Sequence, residues 1–159
     1  MFSISQIFAV AASALTLSAQ AARADSLDPL SRGAYLARIT GCAGCHTPRT
    51  AAGELVVDRL MTGGDRPIPA GALGRFYPPN LTPDLETGIG GWSVDDLIRV
   101  LKSGVAPDGR ILSTAMPWRT QFNQLNDADA RAIAIYLKSL PAVANRVPPP
   151  IPMSAKPTP

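Results

Sequence analysis

Two cysteines and a histidine stand close together in the run CAGCH at residues 42–46. Two thiols three positions apart can each form a thioether bond with one vinyl group of a haem, and the adjacent imidazole can then bind the iron. The pattern Cys-x-x-Cys-His is typical of c-type haem attachment. It predicts one covalently bound haem c, attached through Cys42 and Cys45, with His46 as the proximal iron ligand.

A redox-active disulfide and half of a zinc site are the alternatives for these cysteines. A thioredoxin-like disulfide is expected within a βαβ pattern, which the surrounding sequence lacks. A zinc site needs about four ligands. The chain has two Cys and one His, so carboxylates would have to complete the set. The single histidine also excludes a multi-histidine metal site and bis-histidine ligation of a haem.

A ligand on the opposite face of the iron must therefore be of another residue type, and methionine is the usual donor in electron-transfer haems. Of the four methionines, one is the first residue and one lies in a proline-rich tail. Met116 is favoured over Met61, because Met61 follows His46 by only fifteen residues. Pro117 also biases Met116 towards an extended conformation suited to a ligand loop. Met61 and an open or water-bound iron remain alternatives.

Three helices are expected to position these residues, over 28–41, 93–104 and 126–141. Each begins at a capping residue and ends at Gly or Pro. Residues 61–92 are rich in Gly and Pro and show no strand alternation. So few helices and such a long irregular segment leave a small apolar core. A large prosthetic group at the centre would complete it.

The two ends of the chain differ in composition from its middle. Residues 1–24 contain an apolar stretch and an Ala-x-Ala pattern, which predict a signal peptide cleaved after Ala24; an uncleaved anchor in the inner membrane is the alternative. No apolar run reaches about 18 residues, so no membrane span is expected in the mature chain. Residues 25–141 are the predicted domain. Residues 142–159 form a proline-rich tail, for which a disordered terminus is favoured over a docking strap.

Charge is modest and evenly spread. The chain has 15 Lys and Arg against 12 Asp and Glu, a net charge of +3, which is too small to indicate a nucleic-acid partner. Arg110 and Arg119 flank Met116 and could orient a protein partner, although an ordinary solvated face is the alternative. Redox proteins are therefore the expected partners.

The sequence resembles a known family in five segments: GAYLARITGCAGCHTPR, YPPNLTPDLETGIGGWS, LKSGVAPDGR, AMPW and DADARAIAIYLKSLP. They are similar to the class I cytochrome c domains in cytochrome subunits of bacterial membrane-bound alcohol and aldehyde dehydrogenases, and to single-domain cytochromes of molybdenum hydroxylases. The resemblance implies an all-α fold of three to five helices, with long coil loops wrapped around one haem. The family's distal ligand is the methionine of a Met-Pro dipeptide, here Met116. Those dehydrogenase subunits usually carry three haem domains, whereas this chain has one CxxCH.

The resemblance also implies positions for other residues. The first and last helices would cross beside the haem, with Gly33 allowing close approach and Tyr136 packed at the crossing. By this resemblance, the loop with Asn80, Thr82 and Trp92 would pass the haem propionates, and each of these side chains has a donor suited to a carboxylate. Hydrogen bonding within the loop is the alternative for Asn80 and Thr82.

Taken together, these patterns predict a periplasmic monohaem cytochrome that carries single electrons and is not itself an enzyme. A dehydrogenase would be its donor, and a cytochrome or oxidase of the respiratory chain its acceptor. Two other functions stay open: a peroxidase-like enzyme or sensor with an open distal site, and a domain whose haem is only structural.

Overall fold

The computed structural model describes residues 27–153, a segment that folds mainly into helices. The predicted signal peptide and its cleavage after Ala24 lie outside the described residues. Within them, no helix is both long and apolar enough to cross a membrane. The α-helices are α1 (Pro29–Ile39), α2 (Cys42–His46), α3 (Val94–Ser103) and α4 (Asp127–Ser139). Single 3-10 turns form at Val57–Arg59, Gly71–Leu73 and Phe122–Gln124, and the strands are β1 (Ile68–Pro69) and β2 (Arg75–Phe76).

Local capping explains where the three long helices begin. The Asp28 carboxylate accepts hydrogen bonds from the first turn of α1. Ser93 and Asp96 form a reciprocal capping box at the start of α3. The Asn126 side chain accepts from the backbone N–H of Asp129 at 2.7 Å in α4. The three predicted helices are confirmed, and α2 is a short addition to them.

The ends of these helices follow the backbone preferences of Gly and Pro. Gly41 adopts a φ of 77° and turns the chain from α1 directly into α2. Gly104 adopts a φ of 71° and ends α3. Leu140 is extended before Pro141, which ends α4. The turn at Gly41 fixes where the CAGCH segment starts.

The domain is built around the crossing of α1 with α4. A Cβ atom added to Gly33 would lie 1.9 Å from the carbonyl oxygen of Ala132 and 2.8 Å from Cβ of Tyr136. The two backbones can therefore approach this closely only because residue 33 has no side chain. The close approach expected at Gly33, with Tyr136 at the crossing, is confirmed. The apolar residues buried around it include Leu36, Ala37, Leu97, Leu101, Phe122, Ile133 and Leu137.

A small sheet corrects the expectation that residues 61–92 hold no strand. β1 and β2 pair antiparallel, with Ile68 opposite Phe76 and Pro69 opposite Arg75. Arg75 also pairs antiparallel with Ile151 from the C-terminal segment. Strands of two residues are too short for an alternating hydrophobic pattern to show.

Within residues 142–153, the C-terminal segment corrects a second expectation, that of a disordered tail; residues 154–159 lie outside the described residues. Residues 142–151, here called the C-terminal strap, lie against the loops of residues 59–87 through hydrogen bonds at Val143, Asn145 and Ile151. The proline content correctly indicates an extended backbone. It does not reveal that the non-proline residues between the prolines keep N–H and C=O groups with which to dock.

Candidate haem-attachment site

Helix α2 presents both thiols of the CAGCH segment. Cys42 and Cys45 are free thiols, the first buried and the second exposed, and residues three apart share one face of a helix. Burial raises the pKa of the Cys42 thiol, opposed by a hydrogen bond with Thr40. The described residues contain no cluster of three or more His, Cys, Asp or Glu that could hold a metal ion. The arrangement fits two thioether bonds better than a zinc site or a disulfide.

His46 follows the second cysteine and is buried, with 7% of its surface exposed. Its Nδ1 lies 2.8 Å from the carbonyl oxygen of Pro79. Because a carbonyl can only accept, Nδ1 carries the proton and donates. Burial lowers the pKa of His46, opposed by this hydrogen bond. The lowered pKa favours the neutral imidazole, and a proton on Nδ1 leaves the lone pair of Nε2 available to a metal.

The segment at residues 61–63 is hydrogen-bonded to the backbone and side chains next to the His46 ring. The backbone N–H of Gly63 donates to the His46 carbonyl at 2.8 Å. Met61 donates its N–H to Oγ1 of Thr47 at 3.0 Å and accepts from the N–H of Leu81 at 2.8 Å. The Met61 side chain is 2% exposed, and its φ of 62° is unusual for a residue with a side chain. The Met61 backbone is thus bound to the residue after His46 and to the loop after Pro79, and the choice between Met61 and Met116 as the opposite ligand stays a prediction.

Met116 lies on a separate loop, between α3 and the turn at Phe122–Gln124. It is half-buried and packs against the apolar core. Its N–H donates to the Ser113 carbonyl at 3.1 Å, and its own carbonyl accepts from the Trp118 N–H at 2.7 Å. The Trp118 indole closes this loop by donating to the Leu112 carbonyl at 3.2 Å and by packing on Gly104. The structure thus fixes the loop, while the distal role of Met116 stays a prediction.

Asn80 and Thr82 are buried. Their side chains form hydrogen bonds within the protein, which is the alternative to hydrogen bonds with a propionate. Both amide hydrogens of Asn80 are used, one by Oγ1 of Thr87 at 3.1 Å and one by the carbonyl of Val143 at 2.8 Å. The Thr82 hydroxyl donates to Oδ1 of Asn80 at 2.8 Å or to the Val143 carbonyl at 3.2 Å. Both side chains thus spend their donors within the protein, while their contact with a propionate stays a prediction.

Trp92 is half-buried and packs against the core. Its carbonyl accepts from Nζ of Lys138 in α4 at 2.9 Å. Contact of its indole N–H with a propionate stays a prediction. Sequence reasoning missed Pro79, because its contribution is a backbone carbonyl that every residue type carries. The only available sign was its position in the YPPNLTPD segment.

The residues present fit a covalently bound haem. Two free thiols share one helix face, and a neutral histidine with an available nitrogen follows them. A thioether sulfur lies on a loop fixed elsewhere in the fold. Such a site, in a helical domain whose first and last helices cross, is characteristic of class I c-type cytochromes.

Comparison with known proteins agrees with this class. The chain belongs to the cytochrome c family, whose model, described as cytochrome c, matches residues 30–141. The predicted all-α class I cytochrome c fold is thereby confirmed.

The chain is also similar to subunits of several dehydrogenases. It is 39% identical to a nicotinate dehydrogenase subunit of Pseudomonas putida, over 75% of this chain and 9% of that protein. It is 32% identical to the cytochrome c subunit of the quinone alcohol dehydrogenase of Gluconobacter oxydans, over 86% of this chain and 27% of that subunit. It is 36% identical to the gluconate 2-dehydrogenase cytochrome c subunit of Pantoea cypripedii, over 66% and 22%. The chain thus corresponds to a small part of each relative.

Proposed function

We propose that this protein is a periplasmic carrier of single electrons with one haem c, attached through Cys42 and Cys45. His46 is the proximal ligand and Met116 the distal ligand. The group supplies a one-electron ferric/ferrous couple when bound. The observation that carries the proposal is the buried His46 beside two free thiols, with its Nδ1–H held by the Pro79 carbonyl.

The protein's part in electron transfer is to keep both ligands in place. Pro79 fixes the orientation of the His46 ring. Hydrogen bonds on either side of Met116 fix its loop. Ligands held this firmly move little when the charge of the site changes, so little reorganisation accompanies each transfer. Cys45 is exposed, so a partner can approach on its side.

The proposed donor is a dehydrogenase, and the proposed acceptor is a cytochrome or oxidase of the respiratory chain. The names of the three relatives support the donor, because each is a dehydrogenase subunit. The predicted signal peptide, residues 1–24, supports the periplasmic location. Contacts with both partners are expected to be small and transient, as is usual between redox proteins.

The test of the distal ligand uses protein made with a functioning haem-attachment apparatus. The oxidised protein should show the charge-transfer band between methionine and ferric iron, and Met116→Ala should abolish it. Met153→Ala is the matched control, because Met153 is 62% exposed, and it should keep the band. Distal ligation by Met116 would be contradicted if Met116→Ala kept the band, or if the reduced wild type bound carbon monoxide rapidly.

The test of the electron count is a reductive titration. The full chain should carry one haem, resist its removal by acidic acetone, and take up one electron per protein. A colourless product that retains two free thiols would overturn the whole proposal. A haem that no low-potential donor can reduce would leave only a structural role.

A further inference from the structure

The C-terminal strap joins the loops on the His46 side of the domain. The Val143 carbonyl accepts from Nδ2 of Asn80 at 2.8 Å and lies 3.2 Å from the Thr82 hydroxyl, which donates either to it or to Oδ1 of Asn80. The Val143 N–H donates to Oγ1 of Thr82 at 3.1 Å. One residue of the strap therefore binds both buried polar side chains of the loop that follows Pro79.

Asn145 extends the same connection to two further segments. Its backbone N–H donates to Oγ1 of Thr87 at 2.9 Å, and its Nδ2 donates to the Thr62 carbonyl at 2.7 Å. Its Oδ1 accepts from the guanidinium of Arg59 at 2.8 Å. Val147 also packs on Gly63, whose N–H binds the His46 carbonyl.

These contacts lead to His46 through a short chain of bonds. Asn80 is the residue after Pro79, and the strap takes one of its two amide hydrogens. The Pro79 carbonyl accepts the proton on Nδ1 of His46. Displacing Asn80 would therefore displace the group that orients the imidazole.

We propose that the C-terminal strap is a positioning element for His46, which acts through Asn80 on the Pro79 carbonyl and so adjusts the reduction potential of the haem. This inference rests on the proposed function, since it requires His46 to bind the iron. A hydrogen bond donated by the non-ligating nitrogen of a histidine raises the basicity of the nitrogen that binds the metal. A more basic imidazole favours the ferric state, so the strap lowers the potential.

The direction of the effect separates positioning from a merely structural role. Lengthening the bond between His46 and Pro79 weakens donation by the imidazole and makes the protein easier to reduce. A loosening of the fold that admits water to the haem would instead make the protein harder to reduce, because solvent exposure stabilises the more highly charged ferric state.

The experiment compares two proline substitutions in the full-length haem protein. Val143→Pro removes the N–H that binds Thr82, while Ile151→Pro removes the N–H that binds the Arg75 carbonyl at the far end of the strap. Each costs the strap one backbone donor, but only the first lies next to Asn80 and Thr82. The readout is the reduced-to-oxidised ratio when each protein is poised against the same redox couple.

We expect Val143→Pro to raise that ratio about threefold or more, which is about 28 mV at 59 mV per tenfold for one electron. Ile151→Pro should leave the ratio within about 1.5-fold of the wild type. Equal ratios in the two variants, or a fall in Val143→Pro, would overturn the inference. The proposed function would survive either result, because its own tests are the haem content, the electron count and the methionine band of the full chain.

A milder substitution covers the case in which Val143→Pro does not retain its haem. Asn145→Ala removes the side-chain bonds to Thr62 and Arg59, and the exposed Asn123→Ala is its control. Exchange of the His46 Nδ1 proton with deuterium, followed by NMR in the reduced protein, should accelerate about tenfold in Asn145→Ala and stay unchanged in Asn123→Ala. Identical exchange rates in the two proteins would contradict a positioning role.

Discussion

At the crossing of α1 with α4 the two backbones touch, with space at Gly33 for a hydrogen atom and nothing larger. In residues 59–92 the chain is held instead by side chains that bind backbone groups far away in the sequence, as Asn80 binds Val143. Changes at the crossing should act through volume. Changes in the loops should act through buried polar groups left unpaired. Substitutions in each region can separate these two modes.

The largest effect is expected at the crossing. Gly33→Val would place its Cβ within 1.9 Å of the Ala132 carbonyl oxygen, and neither backbone can yield without separating the helices. The free energy of unfolding should fall by about 3 kcal/mol or more, measured by denaturant titration of the haem protein. Gly91→Ala is the control, because a Cβ there has no neighbour within 4 Å. An equal loss in both variants would refute close packing as the cause.

The next effect is expected in the loops. Asn80→Ala removes the partner of the Thr82 N–H and the shorter of the two hydrogen bonds to the Val143 carbonyl, and it shortens a buried side chain. Unfolding free energy should fall by about 2 kcal/mol, the cost of leaving buried polar groups unpaired. Asn123→Ala, at an exposed position, should change little. A smaller loss for Asn80→Ala than for Asn123→Ala would show that polar contacts do not hold this region.

A smaller effect is expected at a helix end, where both kinds of region meet. Ser93→Ala breaks the capping box with Asp96 that starts α3 directly after the loop. The loss should be about 1 kcal/mol, as for other N-caps, seen as a lower midpoint of thermal unfolding. Ser139→Ala removes only an exposed bond to the Tyr136 carbonyl and should leave the midpoint unchanged. An equal decrease of the midpoint in Ser93→Ala and Ser139→Ala would show that the capping box is not the cause.

The smallest effect is a dependence on pH at the crossing. Arg32 binds both carboxylate oxygens of Asp129, at 2.9 and 3.1 Å, and this contact holds the pKa of Asp129 below its ordinary value of 3.8. A carboxyl group with a lowered pKa stabilises the folded protein when the pH is above the ordinary pKa. This stabilisation is lost as the pH falls through the folded-state pKa.

The wild type should therefore be slightly more stable than Asp129→Asn at pH 7, and the difference should disappear as the pH falls below 3.8 and through the lowered folded-state pKa of Asp129. Unfolding titrations of both proteins across this range provide the measurement. A difference that persists unchanged at low pH would mean that packing, and not charge, connects Arg32 with Asp129.

The sequence predicted what depends on neighbouring residues. Caps at Asp28, Ser93 and Asn126 lie beside the helices they start, so α1, α3 and α4 were located correctly. The two thiols and His46 are adjacent in the chain, so their proximity needed no fold. The approach at Gly33 came from the family resemblance.

What the sequence did not reveal depends on distant backbone groups. The Pro79 carbonyl that binds His46 looks like any other carbonyl, and the residue it contacts is 33 positions away. The bond from Asn80 to Val143 spans 63 positions. Lys138 binds the carbonyls of Ile89, Gly90 and Trp92 from the far end of α4. Propensity and periodicity carry no information about such pairings.

The long spans of these contacts also order events in time. Arg32 meets Asp129 across 97 residues, and Thr62 meets Asn145 across 83, so a chain made from its N-terminus cannot close until most of it exists. Contacts of such separation form slowly. Cys42 is buried in the finished fold, whereas Cys45 stays exposed. Under the proposed function, the interval before closure is therefore the period in which the Cys42 thiol is open to a haem.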